Sequence, residues 1–164
     1  MKAVREGWRP LRREELRDER VHDTYKSKGK LAEPTRCPEC GAVYHSGRWQ
    51  WGLAADGAAQ ELCPACHRMR DHFPAGYVTV SGEFFAAHRD ELLRLAHRRE
   101  AHEKSEHPLE RIMSIKDVED GVLISTTGIH LARDIGEAVF SAYKGELEYH
   151  YNKEENLLRV QWRR

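Results

Sequence analysis

The sequence predicts an α+β fold: a small ribbon built on four cysteines, then a long helix, then a two-layer β-β-α-β-β antiparallel sheet domain. Three observations carry this. Two short cysteine turns, Cys37-Pro-Glu-Cys40 and Cys63-Pro-Ala-Cys66, are separated by 22 residues. Phe84, Phe85, His88, Leu92, Leu95 and Ala96 keep helical spacing. The last third alternates apolar and polar residues with a period of two on either side of one helical stretch.

Residues 1–36 read as a basic N-terminal arm. Pro10 opens a short helical pattern through Leu11, Leu16 and Val21, and Ser27, Gly29 and Pro34 mark a loop. Residues 37–80 make the ribbon module, with a hairpin from Ala42-Val-Tyr-His-Ser46 to Arg48-Trp-Gln-Trp51 whose tip or return passes near Asp56-Gly57. A β-branched run at 76–80 is a strand candidate closing that module. Residues 81–108 are a connecting helix, capped by Ser81 and ended by Pro108.

Residues 109–164 form the α+β domain. Strands over 111–118 and 122–126 meet at Asp120-Gly121, a hairpin turn signal. Thr127 caps a helix over 128–144 whose apolar face is Leu131, Ile135, Ala138, Val139 and Ala142. Gly145 stands where a helix-terminating glycine belongs. Strands over 146–151 and 157–162 follow, with Leu147, Tyr149, Tyr151, Leu158, Val160 and Trp162 facing inward. Their outward rows, acidic on one strand and basic on the other, meet if the two pair as a hairpin.

The cysteines carry the chemistry. A two-residue gap lets two thiolates converge on one ion, and two such turns complete a tetrahedron. Cys37, Cys40, Cys63 and Cys66 are therefore expected to hold one zinc ion (Zn2+) as a four-cysteine zinc ribbon. Four thiolates leave no open position, so the metal is structural. The run Cys63-Pro-Ala-Cys66-His67 also fits the haem-attachment pattern, but that chemistry needs export and leaves the first pair unexplained. A redox dithiol would want a βαβ setting and a single pair.

The 164 residues hold 27 Lys/Arg and 27 Asp/Glu, so overall charge selects no partner. Between Met1 and Arg48 the balance is 12 basic to 8 acidic, which places the basic excess in the N-terminal arm and the approach to the cysteines. Arg48, Trp49 and Trp51, with Arg68 and Arg70 after the second cysteine turn, form an aromatic-basic set of the kind that stacks bases and holds phosphates. Packing of the tryptophans against the next domain is the competing reading. His45, His67 and His72 lie near the cysteines, where they could contact RNA or support the cysteines, while the plainer reading makes most of the ten histidines solvated helix or loop residues. No phosphate-binding glycine loop, nucleophile elbow or zinc-protease motif occurs, and no catalytic constellation is visible, so no enzyme activity is expected. With no secretory run and no 18-residue apolar stretch, a cytoplasmic location away from membranes is expected.

The paired cysteine turns, the long amphipathic helix and the stretch Gly121-Val-Leu-Ile-Ser-Thr-Thr-Gly-Ile-His-Leu-Ala-Arg-Asp-Ile-Gly136 resemble the N-terminal zinc-binding region of the large-ribosomal-subunit export adaptor family, named for nonsense-mediated decay. Glu33-Pro-Thr-Arg-Cys37, Gly47-Arg-Trp-Gln-Trp51, Glu106-His-Pro-Leu109 and Gly145-Glu-Leu-Glu-Tyr-His-Tyr151 resemble a group of short bacterial proteins related to it. The resemblance implies a role facing the ribosome or RNA. It carries over only the four cysteines residue by residue. The family's further cysteine pairs, later β-rich domains and transport signals have no counterpart here, so subunit export is not implied. The expectation is a non-enzymatic zinc-binding adaptor for ribosome or structured RNA. The alternative is a zinc-stabilised protein-protein interaction module with a protein partner and no nucleic acid.

Overall fold

The computed structural model describes residues 9–10, 25, 29–53 and 56–164. In chain order its first elements are β1 (Arg9–Pro10), β2 (Thr35–Arg36), β3 (Val43–His45), β4 (Arg48–Gln50), β5 (Ala59–Gln60) and α1 (Pro64–Asp71). Then come β6 (Gly76–Ser81), α2 (Glu83–Ala87), α3 (Arg89–Glu106), β7 (Ile112–Val118), β8 (Gly121–Thr126), α4 (Ile129–Tyr143), β9 (Glu146–Asn152) and β10 (Leu157–Arg163). The helix expected over 10–21 lies outside the described residues, except for Pro10, which pairs in β1 opposite His150 of β9.

Two sheets result, and the fold is mixed α+β. The small one has the order β4-β3-β2-β5 and carries the cysteines; the large one has the order β1-β9-β10-β6-β8-β7. The strand at 76–81, expected to close the ribbon, instead lies inside the large sheet, antiparallel to β8 and parallel to β10. The sheet is therefore mixed, which corrects the expectation of a purely antiparallel one. The physical reason is burial on both sides of the strand: Val78 and Val80 are 0% and 2% exposed between Ile124, Val122, Val160 and Trp162. An edge position in the ribbon could not cover them.

The connecting helix is also not one rod. It breaks at His88, whose backbone (φ −127, ψ 26) leaves the helical region between α2 and α3. Phe85, Leu92 and Ala96 still reach the core. Ser81 ends β6 and its hydroxyl donates to the Trp162 carbonyl at 3.4 Å, so it is not the helix cap; Gly82 takes the cap position.

One core lies between the large sheet and the helices. Leu131, Ile135 and Val139 of α4 and Leu158, Val160 and Trp162 of β10 are at most 1% exposed. Each such side chain contributes about 1.5–3 kcal/mol by leaving water. Helix α4 rests so closely on β10 that a Cβ on Gly136 would sit 2.4 Å from Cγ1 of Val160. The buried face of α4 is Ile129, Leu131, Ala132, Ile135, Gly136 and Val139, whereas Ala142, assigned to that face from spacing, is exposed. A two-pronged Arg99–Asp134 ion pair (2.7 and 3.0 Å) ties α3 to α4. No helix among the described residues is long and apolar enough to cross a membrane.

Candidate metal centre

The small sheet exists to present two cysteine turns. Chain leaving β2 enters the first turn at Cys37, where Gly41 N–H donates to the Cys37 carbonyl (3.0 Å) and Cys37 N–H to the Ala42 carbonyl (2.8 Å). Gly41, at φ 79, supplies the left-handed backbone that this closed turn requires. The hairpin β3–β4 turns at Ser46 and Gly47, both with positive φ, the geometry of a two-residue primed turn. The Glu33 carboxylate accepts from both turn amides, Ser46 N at 3.0 Å and Gly47 N at 3.2 Å. The tip is therefore at 46–47, and Asp56-Gly57 lie on the return, just before β5.

The second cysteine turn starts a helix. Cys63 is the cap residue of α1, Pro64 occupies its first turn, and the Cys63 sulfur accepts from Cys66 N–H at 3.4 Å. Proline fits there because the first helical residues have no amide partner to lose. His72, in the left-handed region, closes α1 after two turns. Nothing in the apolar spacing foretold this helix; proline directly after a potential cap was the available signal.

The four thiols converge. Their sulfurs all lie within 4.8 Å of one another, and Cys40 Sγ stands 3.7 Å from Cys63 Sγ. A tetrahedron with metal–sulfur bonds of about 2.3 Å has edges of about 3.8 Å, while a disulfide would bring sulfurs to about 2.05 Å. The residues thus fit a single tetrahedral ion held by sulfur. Cys37, Cys63 and Cys66 are buried and Cys40 is half-buried.

A fifth residue completes the cage, and sequence reasoning missed it. Arg111, at the entry to β7, donates through Nη1 to Cys66 Sγ (3.2 Å) and through Nη2 to Cys63 Sγ (3.4 Å). Its Nε donates to the Pro108 carbonyl at 2.8 Å, which fixes the plane of the guanidinium. Four thiolates around one divalent ion keep a net negative charge, and this cation offsets part of it. Burial works against the charged guanidinium, but the bond to Cys66 and the surrounding sulfurs outweigh it and raise Arg111 further. Arg111 lies 45 residues beyond Cys66, so no spacing rule connects them.

The thiols differ from one another. Burial pushes Cys66 up to about 11, against the opposing bond from Arg111, and it raises Cys63 further. Burial also acts on Cys37, but backbone hydrogen bonds at Cys63, Cys40 and Glu39 outweigh it and bring that thiol down to about 7.

The aromatic-basic set is not one surface. Arg48 is exposed and lies with half-buried Trp49 along a cleft of about 610 Å³ between the ribbon and the α3–α4 pair. Trp49 also packs against the cysteine cluster and meets Tyr44 edge-on. The Trp51 indole N–H donates to the Lys104 carbonyl at the end of α3 (2.6 Å), seating the ribbon on the helix while the ring stays partly exposed. Arg70 pairs with Glu39 at the surface. Arg68 is a correction: it is 2% exposed, donates to the Phe73 carbonyl and lies over the Tyr25 ring, so it braces the end of α1 and presents no charge to a phosphate. His67 is exposed beside Asp71 and is not among the converging ligands.

Glu110 was missed as well. It is 8% exposed, yet its Oε2 accepts from Leu131 N–H at 3.0 Å, so this carboxylate caps α4. Thr127, the expected cap, instead donates to the Leu109 carbonyl (2.6 Å) and accepts from Arg111 N–H (2.9 Å). Burial raises the Glu110 carboxyl, opposed chiefly by His130. Comparison with protein-family models, with curated proteins and with solved structures gives no match to this chain.

Proposed function

We propose that this protein is a non-enzymatic adaptor in the cytoplasm, in which one structural zinc ion holds a ribbon against the α+β layer and the ribbon hairpin docks on the ribosome or another structured RNA. The observation that carries the metal is the sulfur spacing, which matches a closed tetrahedron with no position left for a reacting water. RNA is supported by the placement of Arg48 and Trp49 together on the ribbon's cleft side, by the basic excess before Arg48 and by the resemblance to the export adaptor family. Zinc supplies folding free energy, on the order of 10 kcal/mol, and no chemistry.

Sedimentation of the zinc-loaded chain with ribosomes at low and raised salt tests the reading. Phosphate contacts release counterions, so comigration is expected to weaken as salt rises, and Arg48→Ala is expected to weaken it at every salt. No comigration at low salt contradicts the reading. A protein-protein module is the second reading, favoured by the exposure of Leu53, Met69 and Phe73; pull-downs that survive nuclease would select it.

A further inference from the structure

The cleft beside the metal centre has the build of a ligand site. Its about 610 Å³ falls within the range that small ligands occupy. One wall is the strand carrying Arg48 and Trp49; the other is the start of α4, with His130 and Arg133, and the end of α3. Glu110 contributes from the segment between them. Among these groups Asp134 is already engaged by Arg99 through both oxygens. Glu110 is not: Oε2 accepts from Leu131 N–H, and Oε1 takes no hydrogen bond among the described residues. A carboxylate this buried is costly unless a donor reaches it. Burial is the main cause that raises its carboxyl.

We infer that this cleft is a single-nucleotide subsite, in which Trp49 stacks the base, Arg48 and Arg133 hold the phosphate, and Glu110 accepts from the exocyclic amino group of the base. The inference rests on the RNA reading above and narrows it to an unpaired, amino-bearing nucleotide turned out of its strand. Unpaired RNA is read through aromatic stacking together with hydrogen bonds to base edges. Carboxylates pair with the cytosine N4 amino group, and uracil, of the same size and stacking area, carries an acceptor there. In its ionised form Glu110 therefore admits cytosine and repels uracil. Glu103 and Glu137 also line the cleft, so a phosphate can enter only where Arg48 and Arg133 offset these acids.

The test is an NMR titration of the full-length zinc-loaded chain with cytidine 5′-monophosphate and, separately, uridine 5′-monophosphate. Shifts are expected at the Trp49 indole N–H and at the Gly47 and Leu131 amides, with the cytidine nucleotide bound about tenfold or more tightly, the discrimination of one hydrogen bond to a charged group. Glu110→Gln is expected to narrow that preference. Arg133→Ala, on the cleft surface, is expected to weaken both nucleotides alike and leave their ratio unchanged, and it serves alone if Glu110→Gln does not fold. Equal affinity for the two nucleotides, or no shift at these positions, overturns the inference. Ribosome comigration with a silent cleft would sink the subsite and leave the RNA reading standing; a cleft that selects cytidine without comigration would do the reverse.

Discussion

Two of the four sulfurs in the cage already carry N–H donors from Arg111, and those are the two that burial makes hardest to ionise. Removing that guanidinium leaves the negative charge of the metal–thiolate unit facing the buried Pro108 segment without compensation. Arg111→Ala is accordingly expected to lower zinc affinity by roughly 10- to 100-fold, the usual effect of losing a partner hydrogen-bonded to a ligand. Competition with a chromogenic chelator measures it, and an unchanged affinity would show that Arg111 only fills space. Proton balance gives a second expectation. With the ribbon folded and no metal bound, burial favours the thiol forms of Cys63 and Cys66, while backbone hydrogen bonds bring Cys37 down to about 7. Loading must expel those protons, so affinity rises with pH through the neutral range and falls in acid. Calorimetry in two buffers of different ionisation enthalpy should give different heats; equal heats would mean the thiols were already ionised. Glu110 has the opposite sense. Its folded carboxyl lies above the ordinary value, so the folded state prefers it neutral, and the stability it contributes in acid is lost as pH rises through that raised value. Glu110→Gln is expected to gain stability relative to the parent chain as pH increases, which urea melts with excess zinc at two pH values would reveal.

The contact of α4 with β10 permits no side chain at residue 136, because a methyl there meets Val160. Gly136→Ala is expected to cost about 1–3 kcal/mol from overpacking, despite alanine's better helix propensity. A lowered denaturation midpoint at constant slope is the readout, and a stabilised variant would contradict the packing. At this scale the sequence was most legible where a pattern is local. The inward row Leu158, Val160, Trp162 alternates without interruption and is buried as read, and Asp120 turns the β7–β8 connection with a positive φ. Partner choice was less legible. A short β-branched run announces a strand but not its neighbours, and β6 went to the centre of the larger sheet, where both flanks are covered. Cap identity failed for a similar reason: Thr127 has the right chemistry beside α4, but a carboxylate from a distant segment took the role. The cysteine spacing was legible because two thiols on one tight turn must share an ion. Arg111 was not, because only the folded chain brings it to them.

At the scale of the whole molecule, hydrogen bonds to fixed points tie the described part of the ribbon to the α+β layer: Arg111 to the cysteine sulfurs and Trp51 to the Lys104 carbonyl. The larger sheet has its own core, built from Val78 to Trp162 without any cysteine. Metal removal is therefore expected to open the ribbon first. Hydrogen exchange should lose protection over 35–66 on chelation while 76–163 keeps most of it, and simultaneous loss across both would mean a single cooperative unit. A metal held there would act as a positioner, and the cleft between α4 and the strand bearing Arg48 and Trp49 is expected to open when the ribbon does. X-ray absorption at the zinc edge of the purified chain tests that centre most directly. Four sulfur scatterers at about 2.3 Å, at one zinc per chain, are expected; a nitrogen or oxygen atom bound to the metal, or a ribbon that keeps its fold with no bound metal, would contradict it.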